Sequence, residues 1–173
     1  MGRGRTRERA QLLAKIRSLV VDAGPCIALA SIGQLGLLEE LCEEVIVPHA
    51  VFQELADGAK FDNAHLVVQL ANARLMPPEI STLAEWRNLG AGELHVIAYA
   101  EIHRVVALLD DAYARKAARR NGIEVLGTLS LLLIAKAQGH VEALAPLIAV
   151  MRAGGYRLAD GLVLDVLRAA GET

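Results

Sequence analysis

Residues 18–25 read SLVVDAGP: three apolar residues, two of them β-branched, run into one carboxylate and then a Gly-Pro break. A buried strand that ends at the edge of a sheet has this pattern. The same grammar returns at residues 105–111, VVALLDD, where a second apolar run ends in Asp110 and Asp111. In a parallel sheet the C-terminal ends of the strands share one edge, and that edge is where such folds place chemistry. Two strands that finish in acids therefore predict a shared acidic pocket.

Working outward, two further strands are expected at Val45–Val47 and Ile123–Leu126, with helices between them. One helix opens at Pro25 and fails near Gly33, and a second runs from Leu35 to Glu44. Others begin at His49, at Gly90-Ala91-Gly92-Glu93, and after Asp110 or Asp111, the last being stopped by Asn121-Gly122. Leu66–Asn72 reads as helical and is ended by Met76-Pro77-Pro78, while residues 57–65 read as a polar, mobile loop. From Leu129 the chain is helical, with breaks near Gly139 and Gly154-Gly155 and a last helix over Asp160–Ala170. Alternating strands and helices imply right-handed crossovers, hence an α/β fold with a mainly parallel central sheet of four or five strands and helices on both faces.

A chain of 173 residues suits a single core. Residues 18–173 are expected to form that domain, and residues 1–17 a basic leader with six basic residues against one acid, partly disordered or helical over Glu8–Arg17. The 54% hydrophobic content with only 3% aromatic residues calls for an aliphatic core and is compatible with an apolar subunit interface. A net charge of −2 excludes a globally basic nucleic-acid binder but not a local basic patch. Cys26 and Cys42 are neither a metal pair nor a disulfide scaffold, so a reducing cytoplasm is the expected compartment. The uncharged run at 23–38 resembles an export signal. Asp22, Pro25 and two interior glycines argue against that reading, and the run is too short to span a membrane.

The sheet edge should bring together Asp22, Asp110, Asp111 and Thr128, and Glu93 joins them if its helix starts there. A carboxylate at a helix N-terminus is held ionised by the macrodipole. Several carboxylates in one place repel unless cations are present, and oxygen ligands without Cys or His point to Mg²⁺ or Mn²⁺. Each acid also has a plainer reading taken singly. Asp22 could cap the helix after Pro25, Glu93 could be a first-turn acid, Glu54 a surface acid, and one of Asp110 and Asp111 an N-cap.

These residues resemble the PIN domain, the ribonuclease fold of VapC-type toxins, and within it a subgroup of bacterial and archaeal PIN-like proteins. The resemblance runs from Ser18 to Gly171 and is carried by VVDAGPCIALA at 20–30, VIVPHAVFQEL at 45–55, GAGELHVIAYA at 90–100, LLDDAYARKAARRNGIEVLGTLSLLLIAKAQG at 108–139 and the closing GYRLADGLVLDVLRAAGE. It implies a three-layer α/β/α sandwich whose catalytic acids are Asp22, Glu54, Glu93 and Asp111, with Asp110 beside the last. Many members have Thr after the first acid, where this chain has Ala23, and the basic leader is longer than usual.

The resemblance further implies hydrolysis of RNA with one or two Mg²⁺ or Mn²⁺ ions held by Asp22, Glu93, Asp111 and Asp110, in a homodimer paired with an antitoxin. Arg115, Lys116, Arg119 and Arg120 share a broad helix face after the acids and are either candidate phosphate contacts or a solvated surface that balances the adjacent acids, with Thr128 as a phosphate contact or a helix cap. A catalytically inactive RNA-binding or protein-interaction module, its acids only capping helices, is the alternative. A phosphoaspartate enzyme is disfavoured, because DAG lacks the second Asp two residues after the first.

Overall fold

The computed structural model describes residues 15–57, 73–76 and 88–172. The leader up to Ala14, most of the 57–65 loop, the expected helix at 66–72, Pro77-Pro78 and Trp86 lie outside the described residues. The described residues divide into two compact units, Ile16–Thr128 and the segment from Leu129 onward. Among the described residues no helix is long and apolar enough to cross a membrane.

The first unit is an α/β fold on five parallel strands: β1 (Ile16–Val21), β2 (Cys42–Pro48), β3 (Ala73–Met76), β4 (Val106–Leu108) and β5 (Val125–Leu126), in the order β3-β2-β1-β4-β5. Leu19, Val20 and Val21 of β1 and Val45, Ile46 and Val47 of β2 are all fully buried. Successive strand side chains point to opposite faces, so both faces of the sheet are covered, as expected of an α/β sandwich. The helices are α1 (Ala23–Ser31), α2 (Leu37–Leu41), α3 (His49–Asp57), α4 (Ala91–His103) and α5 (Ala112–Arg120), with Thr128 beginning α6 (Thr128–Ala137). Gly122, at φ +72, takes up the left-handed turn that ends α5, as Asn121-Gly122 led one to expect.

Three boundaries differ from the sequence reading. Cys42, Glu43 and Glu44 belong to β2 and not to a helix from Leu35; their backbone pairs with β1 in the register Ile16↔Cys42 and Ser18↔Glu44, and that pairing outweighs the helix propensity of two glutamates. For the same reason Ile16 and Arg17 open β1 and do not finish a leader helix. The strand β3 falls just after the segment read as helical. It is an edge strand of four residues, pairing Val45↔Ala73 to Pro48↔Met76, too short to show a period of two.

The strand order fixes where chemistry can sit. The chain moves outward from β1 to β2 to β3, then returns to lay β4 on the other side of β1 and moves outward again to β5. The crevice beyond the C-terminal ends of β1 and β4 is thus the switch point of the sheet, the place where open α/β sheets bind ligands. Asp22 follows β1 at that point and Asp110 and Asp111 follow β4, and the amide of Asp22 donates to the Leu108 carbonyl at 3.2 Å across the two strands.

The second unit contains the rest of α6, α7 (Ala145–Ala153) and α8 (Asp160–Ala169). Glu172 ties its parts together: its carboxylate accepts from Lys136 Nζ at 2.5 Å and from the amides of Leu144 at 2.7 Å and Ala145 at 2.8 Å, so a residue from the chain end caps α7. The Lys136 hydrogen bond, followed by these amides, holds the Glu172 carboxyl down at about 2, below its ordinary 4.5. A depressed carboxyl contributes stability above pH 4.5 and loses it as pH falls toward 2. Glu172→Gln is expected to destabilise the protein in urea by about 1 kcal/mol at pH 7, with the difference from wild type shrinking below pH 4.

Candidate active site

Asp22 stands at the N-cap of α1, yet its side chain makes no capping hydrogen bond. The residue is 9% exposed. Burial pushes its carboxyl up from 3.8 to about 7; the Ala23 and Gly24 amides pull it down, and the charges of Glu54 and Glu93 raise it again. Cys26, one turn into α1, is likewise pushed up to about 12 by burial and by Asp22, so its thiol stays protonated and is no nucleophile.

Glu54 comes from α3 and Glu93 from the first turn of α4, where the neighbouring Gly92 leaves room for Glu54 and Asp22. A methyl group placed on Gly92 would lie 2.6 Å from Glu54 Oε2, 3.2 Å from Asp22 Oδ1 and 3.3 Å from Val51 Cγ2. Two carboxylates from different elements therefore pack against the bare backbone of one helix turn. Glu93 Oε2 accepts from the Gly90 amide at 2.9 Å. Burial raises its carboxyl above the ordinary range, Gly90 opposes this, and the charges of Asp111 and Glu54 add to it. Asp22 thus feels the charges of Glu54 and Glu93, and Glu93 those of Glu54 and Asp111.

The adjacent acids after β4 divide their work. Asp111 is the N-cap of α5, and Tyr113 and Ala114 both donate their amides to its Oδ1 at 2.8 Å, so capping does not use Oδ2. Asp110 turns the other way: its Oδ1 accepts the Thr128 amide at 2.8 Å and its Oδ2 the Thr128 hydroxyl at 2.5 Å. Thr128 is fully buried, and its hydroxyl serves this bond, which fixes the end of β5 to the end of β4.

Of the cations expected to meet phosphate, Arg115 lies nearest the acids. A methyl on Gly127 would sit 3.1 Å from Asp110 Oδ1 and 3.3 Å from Arg115 Nη1, and the buried Arg115 Nε has no hydrogen-bond partner among the described residues. Lys116, Arg119 and Arg120 are exposed on α5. Arg119 and Arg120 occupy its last turn, about 12 Å along the helix from the Asp111 cap, where cations also complement the macrodipole.

Among the described residues no three acid, His or Cys side chains converge on one point. The donor set nonetheless fits a hard divalent ion that keeps most of its waters and uses one or two carboxylates: oxygen ligands only, mutually repelling, with two of them gathered at Gly92. Sequence reasoning named the acids but not Gly92, whose signal was a glycine within the first turn of an otherwise regular helix. No curated protein matches the chain. A family model described as a PIN domain matches residues 18–172.

Proposed function

The chain belongs to the PIN-domain family, a nuclease-type fold, and from that premise we propose that it is a metal-dependent endoribonuclease acting at the Asp22 edge of the sheet. The observation that supports the reading is the gathering of carboxylates around Gly92, where burial and then the charges of neighbouring acids raise Asp22 and Glu93, a strain that an added cation would relieve. Asp22, Glu93 and Asp111 would hold one or two Mg²⁺ or Mn²⁺ ions, with Glu54 and Asp110 adjoining. Such an ion lowers the pKa of a coordinated water and stabilises charge on the leaving oxygen.

The chain's own residues do the rest. Asp22 supplies a carboxylate whose ionised form a cation would favour, and Asp111 presents Oδ2 while Oδ1 secures α5. Asp110 and Thr128 hold the strand ends in register, and the Arg115 guanidinium, whose Nη1 lies beside Gly127 at that edge, would meet a phosphate. Lys116, Arg119 and Arg120 extend the positive path along α5 for the RNA backbone. On the family resemblance we assign the protein to the cytoplasm, as a homodimer and the toxin half of a toxin-antitoxin pair.

The test is cleavage of labelled single-stranded and structured RNAs with Mg²⁺, Mn²⁺ or EDTA. Cleavage that appears with either ion and stops in EDTA is the expected result. Cleavage indifferent to EDTA, or none in folded protein whose melting point ignores both ions, would remove the reading in favour of a catalytically inactive interaction module.

A further inference from the structure

The edge of the sheet opposite the acids carries its own pair of clefts. One, of about 400 Å³, is lined by Arg17 at the start of β1 and by His103 and Arg104 at the end of α4; the other, of about 350 Å³, shares Arg104 and is lined by Glu101, Asn121 and Glu124. Asp22 lies five residues along β1 from Arg17, about 16 Å away at strand rise, so these clefts are separate from the acidic edge.

Their chemistry is divided. The first cleft concentrates positive charge from two elements with no acid among the described residues that line it; the second offers a carboxamide and two carboxylates beside the apolar walls of Val105 and Ile123. The α4 macrodipole accounts for a cation in its last turn, such as His103, which stacks on Tyr99 at 4.1 Å, but not for Arg17. Nor does it account for the backbone of Arg104, which is the one non-glycine residue at positive φ among those described (φ 54, ψ 47). A glycine at this left-handed cap would relieve backbone strain, and what the arginine adds is a guanidinium where the two clefts meet.

We propose that this edge is a second binding site for a phosphorylated nucleoside, its phosphate on Arg17 and Arg104 and its sugar and base beside Asn121, Glu101 and Glu124. A guanidinium pair suits a phosphate oxygen fork, and carboxylates suit ribose hydroxyls. The proposal does not depend on the nuclease reading, and the ligand is either a free mononucleotide or the phosphorylated end of an RNA strand.

Calorimetric titration of the full chain in EDTA, which prevents metal-dependent cleavage, tests it with uridine 5′-monophosphate, adenosine 5′-monophosphate, uridine, and a tetranucleotide RNA with or without a 5′-phosphate. Binding that requires the phosphate and falls about tenfold in both Arg17→Gln and Arg104→Gly is expected. Arg104→Gly should melt no lower than wild type, so a loss of binding there cannot come from misfolding. Phosphate-dependent binding of the mononucleotides identifies the free nucleotide as the source, and a gain confined to the 5′-phosphorylated RNA identifies the strand end. Equal binding of uridine and its monophosphate, affinity unchanged in either variant, or no binding at millimolar concentration would overturn the proposal.

Discussion

Asp22→Asn should be more stable than the wild type at pH 8 in the absence of divalent metal, while losing RNA cleavage by about a hundredfold or more. The folded-state carboxyl is raised from 3.8 to about 7, so between those values the folded protein holds a proton that the unfolded chain releases. Stability therefore falls as pH rises through that window, and above pH 7 the buried charge costs on the order of 4 kcal/mol as an upper bound. The amide of the variant has the same shape and no charge. Urea denaturation from pH 4 to pH 8 should show the two proteins converging at the acid end and separating toward the basic end. Added Mg²⁺ should recover much of the wild-type loss at pH 8 and leave the variant unmoved. A purely structural Asp22 predicts the first result without the second, so the Mg²⁺ response separates a ligand from a helix cap. A variant less stable than wild type at pH 8 would show that the Ala23 and Gly24 amides, and not burial, dominate at this position.

Much of the site was legible before any fold was known, because it is written in local patterns. Asp22 and the Asp110-Asp111 pair stand where apolar runs stop, and a run that stops at an acid marks both a strand end and the sheet edge. What stayed hidden depends on partners far away in the chain. Asp110 and Asp111 fit an N-cap equally well on paper; only the approach of Thr128 assigns one to β5 and leaves the other to α5. The strand β3 owes its existence to the exposed edge of β2, and Cys42–Glu44 to pairing with β1, so neither was visible in propensity. Arg104 was hidden for the opposite reason, since a left-handed cap is ordinarily signalled by the glycine that this chain lacks there.

Gly92→Ala brings these threads to one position and should separate stability from activity. In an exposed helix the change would favour the fold by about 1 kcal/mol. Here the new methyl meets Glu54 Oε2 at 2.6 Å, a distance real contacts do not reach, and Asp22 Oδ1 at 3.2 Å. Glu54 is the exposed end of a flexible side chain and can swing away at little cost, so the fold should survive with a melting point close to wild type. The carboxylates cannot keep their places. Displacing a reacting or ligating group by about 1 Å costs about a hundredfold in rate, and that is the expected loss of metal-dependent cleavage, with a parallel weakening of the Mg²⁺ effect on melting. Gly127→Ala is the control: its methyl would meet Asp110 and Arg115 at 3.1 and 3.3 Å, tight but absorbable contacts, and a smaller loss should follow. Full cleavage by Gly92→Ala would mean that the approach of Glu54 and Asp22 has no part in the reaction. Collapse of the fold would mean that Val51, 3.3 Å from the new methyl, has no room to give, and Gly92 would then be a packing glycine first.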